Sequence, residues 1–198
     1  MSVTNVRHRL TTATLVARAG ILLSFLLAAF VPALHAQIRE SALSEAEVEQ
    51  IRDARLVPTD CILLYVKFLD VRTKEIQDLY AKPRQPGREQ DTRDLLVQFT
   101  SIADELSDNL DDYGPRHVDL RKALPKIIEA TERWSTALKS PPEHETYSVA
   151  RKIALESVRD IRESSTELSG EQTTWFKAHP PTKQQKQQQG APPIDIPR

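Results

Sequence analysis

Cysteine occurs once in the 198 residues, methionine only as the initiator, and glycine five times. Each scarcity removes a class of chemistry. With Cys61 alone there is no intramolecular disulfide framework, so stability must rest on packing. Cys61 itself falls on the apolar stripe of a helix beside Ile62 and Leu64, where a free thiol behaves as a small buried hydrophobe. One cysteine and three scattered histidines after residue 36 (His117, His144 and His179) do not make the four-ligand set of a zinc site. No Glu stands three residues before any of them, so the Glu-x-x-His pair of di-iron bundles is missing, as is C-x-x-C-H for attached haem. Few glycines leave few places for a backbone to cradle phosphate, and neither a G-x-S-x-G elbow nor a Gly-rich phosphate loop occurs. No catalytic residue, metal or cofactor is assigned on these grounds.

Acidic residues are also missing from one stretch. The first 36 residues carry Arg7, Arg9 and Arg18 but no Asp or Glu, and Ile21 to Leu34 form an apolar run interrupted by Pro32. That run is shorter than the ~20 residues a spanning helix needs and fits the core of a secretory signal peptide. Segment 1–36 is therefore expected to be a signal peptide cleaved after Ala36, placing the protein in the periplasm or the medium. The alternative is an uncleaved membrane anchor, because Leu34 is larger than the residue usually found three before the cut.

Beyond residue 36 the balance turns acidic, with a net charge of −4 for 37–198 and −7 for 37–176. Nucleic acid is excluded as the main partner by that sign, since phosphate is bound by clustered Lys and Arg. The acidic run Asp104, Glu105, Asp108, Asp111 and Asp112 lacks the order of a calcium loop and reads as a solvated helix face.

What is present is helical periodicity. Apolar residues recur at three- and four-residue steps and no segment alternates as a strand would. A short helix is predicted from Ser44 to about Arg55, and a long one capped by Thr59 with a stripe of Cys61, Tyr65, Phe68, Ile76 and Leu79. After the loop 82–90, Asp91 caps a third, which Gly114 and Pro115 end. The fourth carries Leu120, Leu124, Ile127, Thr131, Trp134 and Leu138, with Pro125 either kinking it or marking its start. The last follows Pro141 and Pro142 and is ended by Gly170. Four long helices of matched length joined by short turns predict an all-α fold: an antiparallel up-down-up-down four-helix bundle over 37–176, preceded by the short helix. Three helices, or hairpins completed by a second chain, are the alternative.

Two places break the pattern. Arg72 stands where the second helix calls for an apolar residue, at the height of Thr131 and Ser157, with Glu129, Glu132 or Glu156 as candidate partners. It either snorkels from the rim of the stripe or builds a buried polar layer that fixes register or lines a pocket. The chain end after Gly170 carries Trp175 and Phe176, expected to cover the end of the bundle or to serve as an exposed aromatic anchor for a partner. Segment 177–198, rich in Gln and Pro, is expected to be a disordered tail.

These features favour a non-enzymatic interaction or structural module of the cell envelope, partnered by another envelope protein or a second copy. Membrane contact is expected only if cleavage after Ala36 fails. The alternative is a small-molecule binding or sensor bundle built around Arg72.

Overall fold

The structure is a computed structural model and describes residues 42–180, so the expected signal peptide 1–36 and positions 181–198 of the expected tail lie outside the described residues. Among the described residues the chain is all-helical, with five helices and no strand: α1 Glu45–Ala54, α2 Pro58–Ala81, α3 Arg88–Tyr113, α4 Leu124–Lys139 and α5 Glu145–Ala178.

Local chemistry sets the ends. Ser44 caps α1 in a reciprocal box, its hydroxyl accepting from Glu47 N at 3.3 Å while the Glu47 carboxylate accepts from Ser44 N at 2.8 Å. Helix α2 starts two residues before expectation. Val57 is its N-cap and Pro58 fills the first turn, where a missing N–H is harmless. Thr59, expected as that cap, instead donates its hydroxyl to Asp119 O at 3.2 Å. Gly87, at φ 87°, takes the N-cap of α3 in place of Asp91; left-handed backbone at this position suits glycine. Pro125 marks the true start of α4 and does not kink it.

Helix lengths do not match as expected. Helix α4 has 16 residues and α5 has 34, roughly 24 and 51 Å at 1.5 Å per residue. Part of the difference arises because α5 runs through Gly170, and part because α4 starts only at Leu124. A solvent-exposed helical glycine costs only about 1 kcal/mol against alanine, and buried Leu168, Gln172 and Phe176 hold the helix on both sides of it.

Helix α1 packs on α2, α3 on α2 and α5, and α4 on α2 and α5. Side-chain bonds give the directions. Tyr80 and Tyr147 share a hydroxyl bond of 3.0 Å and Thr92 donates to Tyr80 at 3.3 Å, so the end of α2 meets the starts of α3 and α5. At the opposite end Gly114 lies against Leu168. Contacting helices α3 and α5 therefore run parallel. So do α2 and α4: Thr59, at the start of α2, bonds Asp119 just ahead of α4, and further along both, the helices meet at Asp70–Trp134. Sequential antiparallel neighbours were expected for the last three helices. The ten-residue connection 114–123 instead carries the chain from α3 to a helix outside its main packing neighbours, which it touches through Phe99 and Trp134, and is anchored by fully buried Leu120.

The core between these helices holds Trp134, Tyr147, Phe68 and Phe99 as its largest side chains. Trp134 meets Phe99 edge-on at 5.9 Å and donates its indole N–H to Asp70 at 2.7 Å, so the ring buries with its one polar atom satisfied. Cys61 is buried, and burial pushes its thiol up from the ordinary value.

Candidate functional site

Arg72 is buried in the middle of α2, not at its rim. Its guanidinium donates Nη1 to Glu47 Oε1 at 3.0 Å, Nη2 to Glu47 Oε2 at 2.8 Å and Nη2 again to Ala42 O at 2.8 Å. The same carboxylate closes the Ser44 capping box, so one glutamate serves a helix cap and a buried cation together. Burial works against its charged form; the Arg72 donors and the Ser44 N–H outweigh that and hold the Glu47 carboxyl below its ordinary value. Of the guanidinium nitrogens of Arg72, only Nε is buried without a hydrogen-bond partner.

The residues expected around Arg72 are elsewhere engaged. Thr131 is buried and donates to Ile128 O at 2.7 Å. Ser157 is half-buried and donates to Ile153 O. Glu129 is exposed and pairs with Arg133 at 3.4 Å, Glu132 is exposed and pairs with Arg162, and Glu156 pairs with Arg159 at 3.3 Å. The physical reason is that Arg72 lies on the side of α2 that α1 covers. An arginine there is met by the covering segment, not by the helices opposite.

Three further polar side chains are buried on the stripe of α5, and two of them repeat this pattern. Arg151 donates to Pro141 O at 2.7 Å and pairs with Glu143, closing the turn between α4 and α5. Gln172, 2% exposed, accepts from Leu120 N at 2.9 Å and donates to Val118 O at 2.7 Å, fastening the connection 114–123. Ser165 is fully buried, and its Oγ has no partner. The signal for these residues was available: three- and four-residue steps from Tyr147 pass through 151, 154, 158, 161, 165, 168 and 172.

Trp175 and Phe176 lie on the last turns of α5 itself. Phe176 is buried under the Arg121 guanidinium, 4.2 Å from its ring centre, and Arg121 is held in turn by Asp119. Trp175 is half-buried and stacks on His117 at 4.3 Å and on His179 at 4.5 Å. His117 is the one non-glycine residue with positive φ, 52°, among those described. Beside this stack an open cleft of about 580 Å³ is lined by Gly114, Leu168, Glu171 and Thr174 among others. No group of three or more His, Cys, Asp or Glu residues that could hold a metal occurs among the described residues, and no described helix is long and apolar enough to cross a membrane.

No family model matches the chain, and neither a curated protein nor a solved structure matches it.

Proposed function

We propose that the chain is an exported, non-enzymatic interaction module of the cell envelope, its four long helices forming a bundle of up-down-up-down chain order. In this reading segment 1–36 is the signal peptide and 177–198 a tail whose first two residues, Lys177 and Ala178, close α5. One observation supports it above the others: Arg72, the interior feature most suggestive of a ligand, is bound by Glu47 and Ala42 of the same chain. Arg151 and Gln172 are likewise engaged with chain connections, so the polar groups of the interior serve the fold. What remains for recognition is the outer surface of the helices.

The test is photo-crosslinking in the native cell envelope from several exposed helix positions, paired with light scattering of the purified protein. Capture of a defined partner, or a stable oligomer, supports the module. Absence of both overturns it. The sensor alternative predicts a thermal shift with small anions that Arg72→Leu abolishes, and the bonds around Arg72 give it no support.

A further inference from the structure

Resting on the reading of the chain as an interaction module, we propose that the solvent side of the α3–α5 seam docks a basic amphipathic helix of a partner protein. Aliphatic side chains of that helix would sit on Val97, Val149 and Ile153, and its Lys and Arg side chains over the acidic stretch that follows.

Register brings the three apolar residues to one level. The separation between the two helices is 55 residues at the Thr92–Tyr147 level and 54 at Gly114–Leu168, so Val97 lies between Val149 and Ile153 in height. Direction follows from the cleft at the far end of the seam, which Asp111 lines from α3 and Glu167 from α5. Residues seven apart on a helix lie nearly above one another, drifting only ~20° per step. Two such steps back from Asp111 pass Asp104 and reach Val97; two from Glu167 pass Asp160 and reach Ile153. Each helix therefore presents a ridge that is apolar at one end and acidic along the rest. Between the ridges the same spacing places Thr100, Ser107 and Gly114 on α3 against Ala150, Ser157 and Ser164 on α5. A floor of small residues between two ridges is a shallow groove of the kind a helix lies in.

Exposure and charge make this face distinct. Val97, Val149 and Ile153 are 48, 69 and 47% exposed, three of the five large hydrophobics exposed among the described residues. Single exposed apolar residues are ordinary, but three at one level on two packed helices form a patch. From 95 to 113 α3 carries five Asp or Glu and no Lys, Arg or His, and from 163 to 176 α5 carries three and none. Arg159 offsets part of this charge by pairing with Glu156 and Asp160, and Arg116 offsets Asp112, while Asp111 and Glu167 line the cleft at the far end.

Charge selects the occupant. Nucleic acid is repelled, and the same face of a second copy brings no basic side chains to the acidic stretch. The chain's own basic segment 177–198 has Ile194 and Ile196 as its only large aliphatics, too few and too close for a helix face. A partner helix with Lys and Arg flanking an aliphatic stripe meets both halves of the groove.

The probe is a labelled peptide of about 18 residues, roughly five helical turns, with leucines at i, i+3, i+4 and i+7 flanked by lysines. A control peptide has glutamates in place of the lysines. The full chain is expected to bind the lysine peptide only. Val97→Asp with Ile153→Asp should weaken binding by about tenfold or more, as loss of central apolar anchors does. Asp111→Asn with Glu167→Gln should weaken it about threefold at low salt, a rim-charge effect. Glu75→Gln with Asp94→Asn, in the acidic cleft between α2 and α3, should leave it unchanged. Circular dichroism checks the fold of each variant, and Val149→Asp provides a second apolar test.

Equal weakening by both acidic pairs overturns the proposal, because the peptide is then adsorbed by charge alone. Binding that appears only after removal of 177–198, or a dimer that Val97→Asp dissolves, overturns it in favour of the tail or a second copy. The module reading fails separately. Envelope crosslinks from Trp175 or Arg133 but none from 97 or 153 would remove this surface and keep the module. Peptide binding mapped to the seam with no envelope crosslink from any position would do the reverse.

Discussion

Glu47 and Arg72, 25 residues apart in sequence, meet in a two-bond ion pair whose side chains are only 12 and 8% exposed. Helix α1 buries none of its own residues fully, so this pair, buried Leu43 and the half-buried Ile51 and Ala54 hold the segment before α2 on the body of the protein. Removing one member of a buried pair strands the other and costs about 3–5 kcal/mol, far more than the pair contributes against an apolar replacement. Glu47→Ala, which also deletes the capping box, is therefore expected to lower unfolding stability in urea by at least about 3 kcal/mol. Arg72→Leu with Glu47→Leu should recover much of that loss. A Glu47→Ala protein within about 0.5 kcal/mol of wild type, the range of an ordinary surface change, contradicts the latch.

The same carboxylate makes stability depend on pH. Its folded value lies below the ordinary 4.5, because the Arg72 and Ser44 donors outweigh burial. A group depressed in the folded state contributes fully above its ordinary value and loses that contribution as pH falls through its folded value. The melting-temperature gap between wild type and Glu47→Gln should therefore be widest near neutrality and shrink on acidification below 4.5. A gap constant with pH would show that Glu47 acts through packing alone.

Gln172 bonds two buried backbone groups of the connection that carries the chain to α4. Truncation leaves Leu120 N and Val118 O without their partner, and each buried orphan costs about 1–3 kcal/mol. Gln172→Ala is expected to lose about 2–3 kcal/mol and to raise amide exchange selectively across 114–123. Uniform exchange along the chain would mean that the connection is held by Leu120 and Thr59 instead.

How far these features were legible depended on periodicity. The all-helical class, Ser44 as a start signal and Pro125 as a boundary are dictated by local spacing and capping, and Arg72 was visible as a charge on an apolar stripe. Its partner was not. Glu47 belongs to a helix too short to be counted as a packing element, and which side of α2 that helix covers is a tertiary fact. Gly170 misled because a helix-breaking residue was weighed locally, while Leu168, Gln172 and Phe176 carry α5 across it. Arg151, Ser165 and Gln172 lay on a stripe already traced and were hidden only because apolar residues alone were followed. That α3 packs along α5, and meets α4 only across the core at Phe99–Trp134, had no local signature, since it depends on where the connection 114–123 is fastened.

Export makes a prediction of its own. If the apolar run from Ile21 is a signal-peptide core, the intact mass of protein recovered from the envelope or the medium should correspond to a chain beginning at Gln37. Replacing Ala36 with a bulky residue should leave the longer form in the membrane fraction. Recovery of the full-length chain from wild type identifies the segment as an anchor.

Ser165 offers the one substitution expected to strengthen the protein. Its side chain is fully buried and its Oγ lacks a hydrogen-bond partner, so folding strips the hydroxyl of water without replacement. Alanine removes that penalty, fits the same space, and gains a few tenths of a kcal/mol in helix propensity. Ser165→Ala is expected to raise stability by about 1 kcal/mol, or roughly 3–4 °C in Tm for a domain of this size. Ser157→Ala makes the matched control, because that hydroxyl is half-buried and already bonds Ile153 O at 3.3 Å. Its change should fall within about 0.5 kcal/mol of zero. Should Ser165→Ala destabilise by more than its control, the hydroxyl has a bonding partner in solution, and the stripe of α5 holds one more pinned contact beside Arg151 and Gln172.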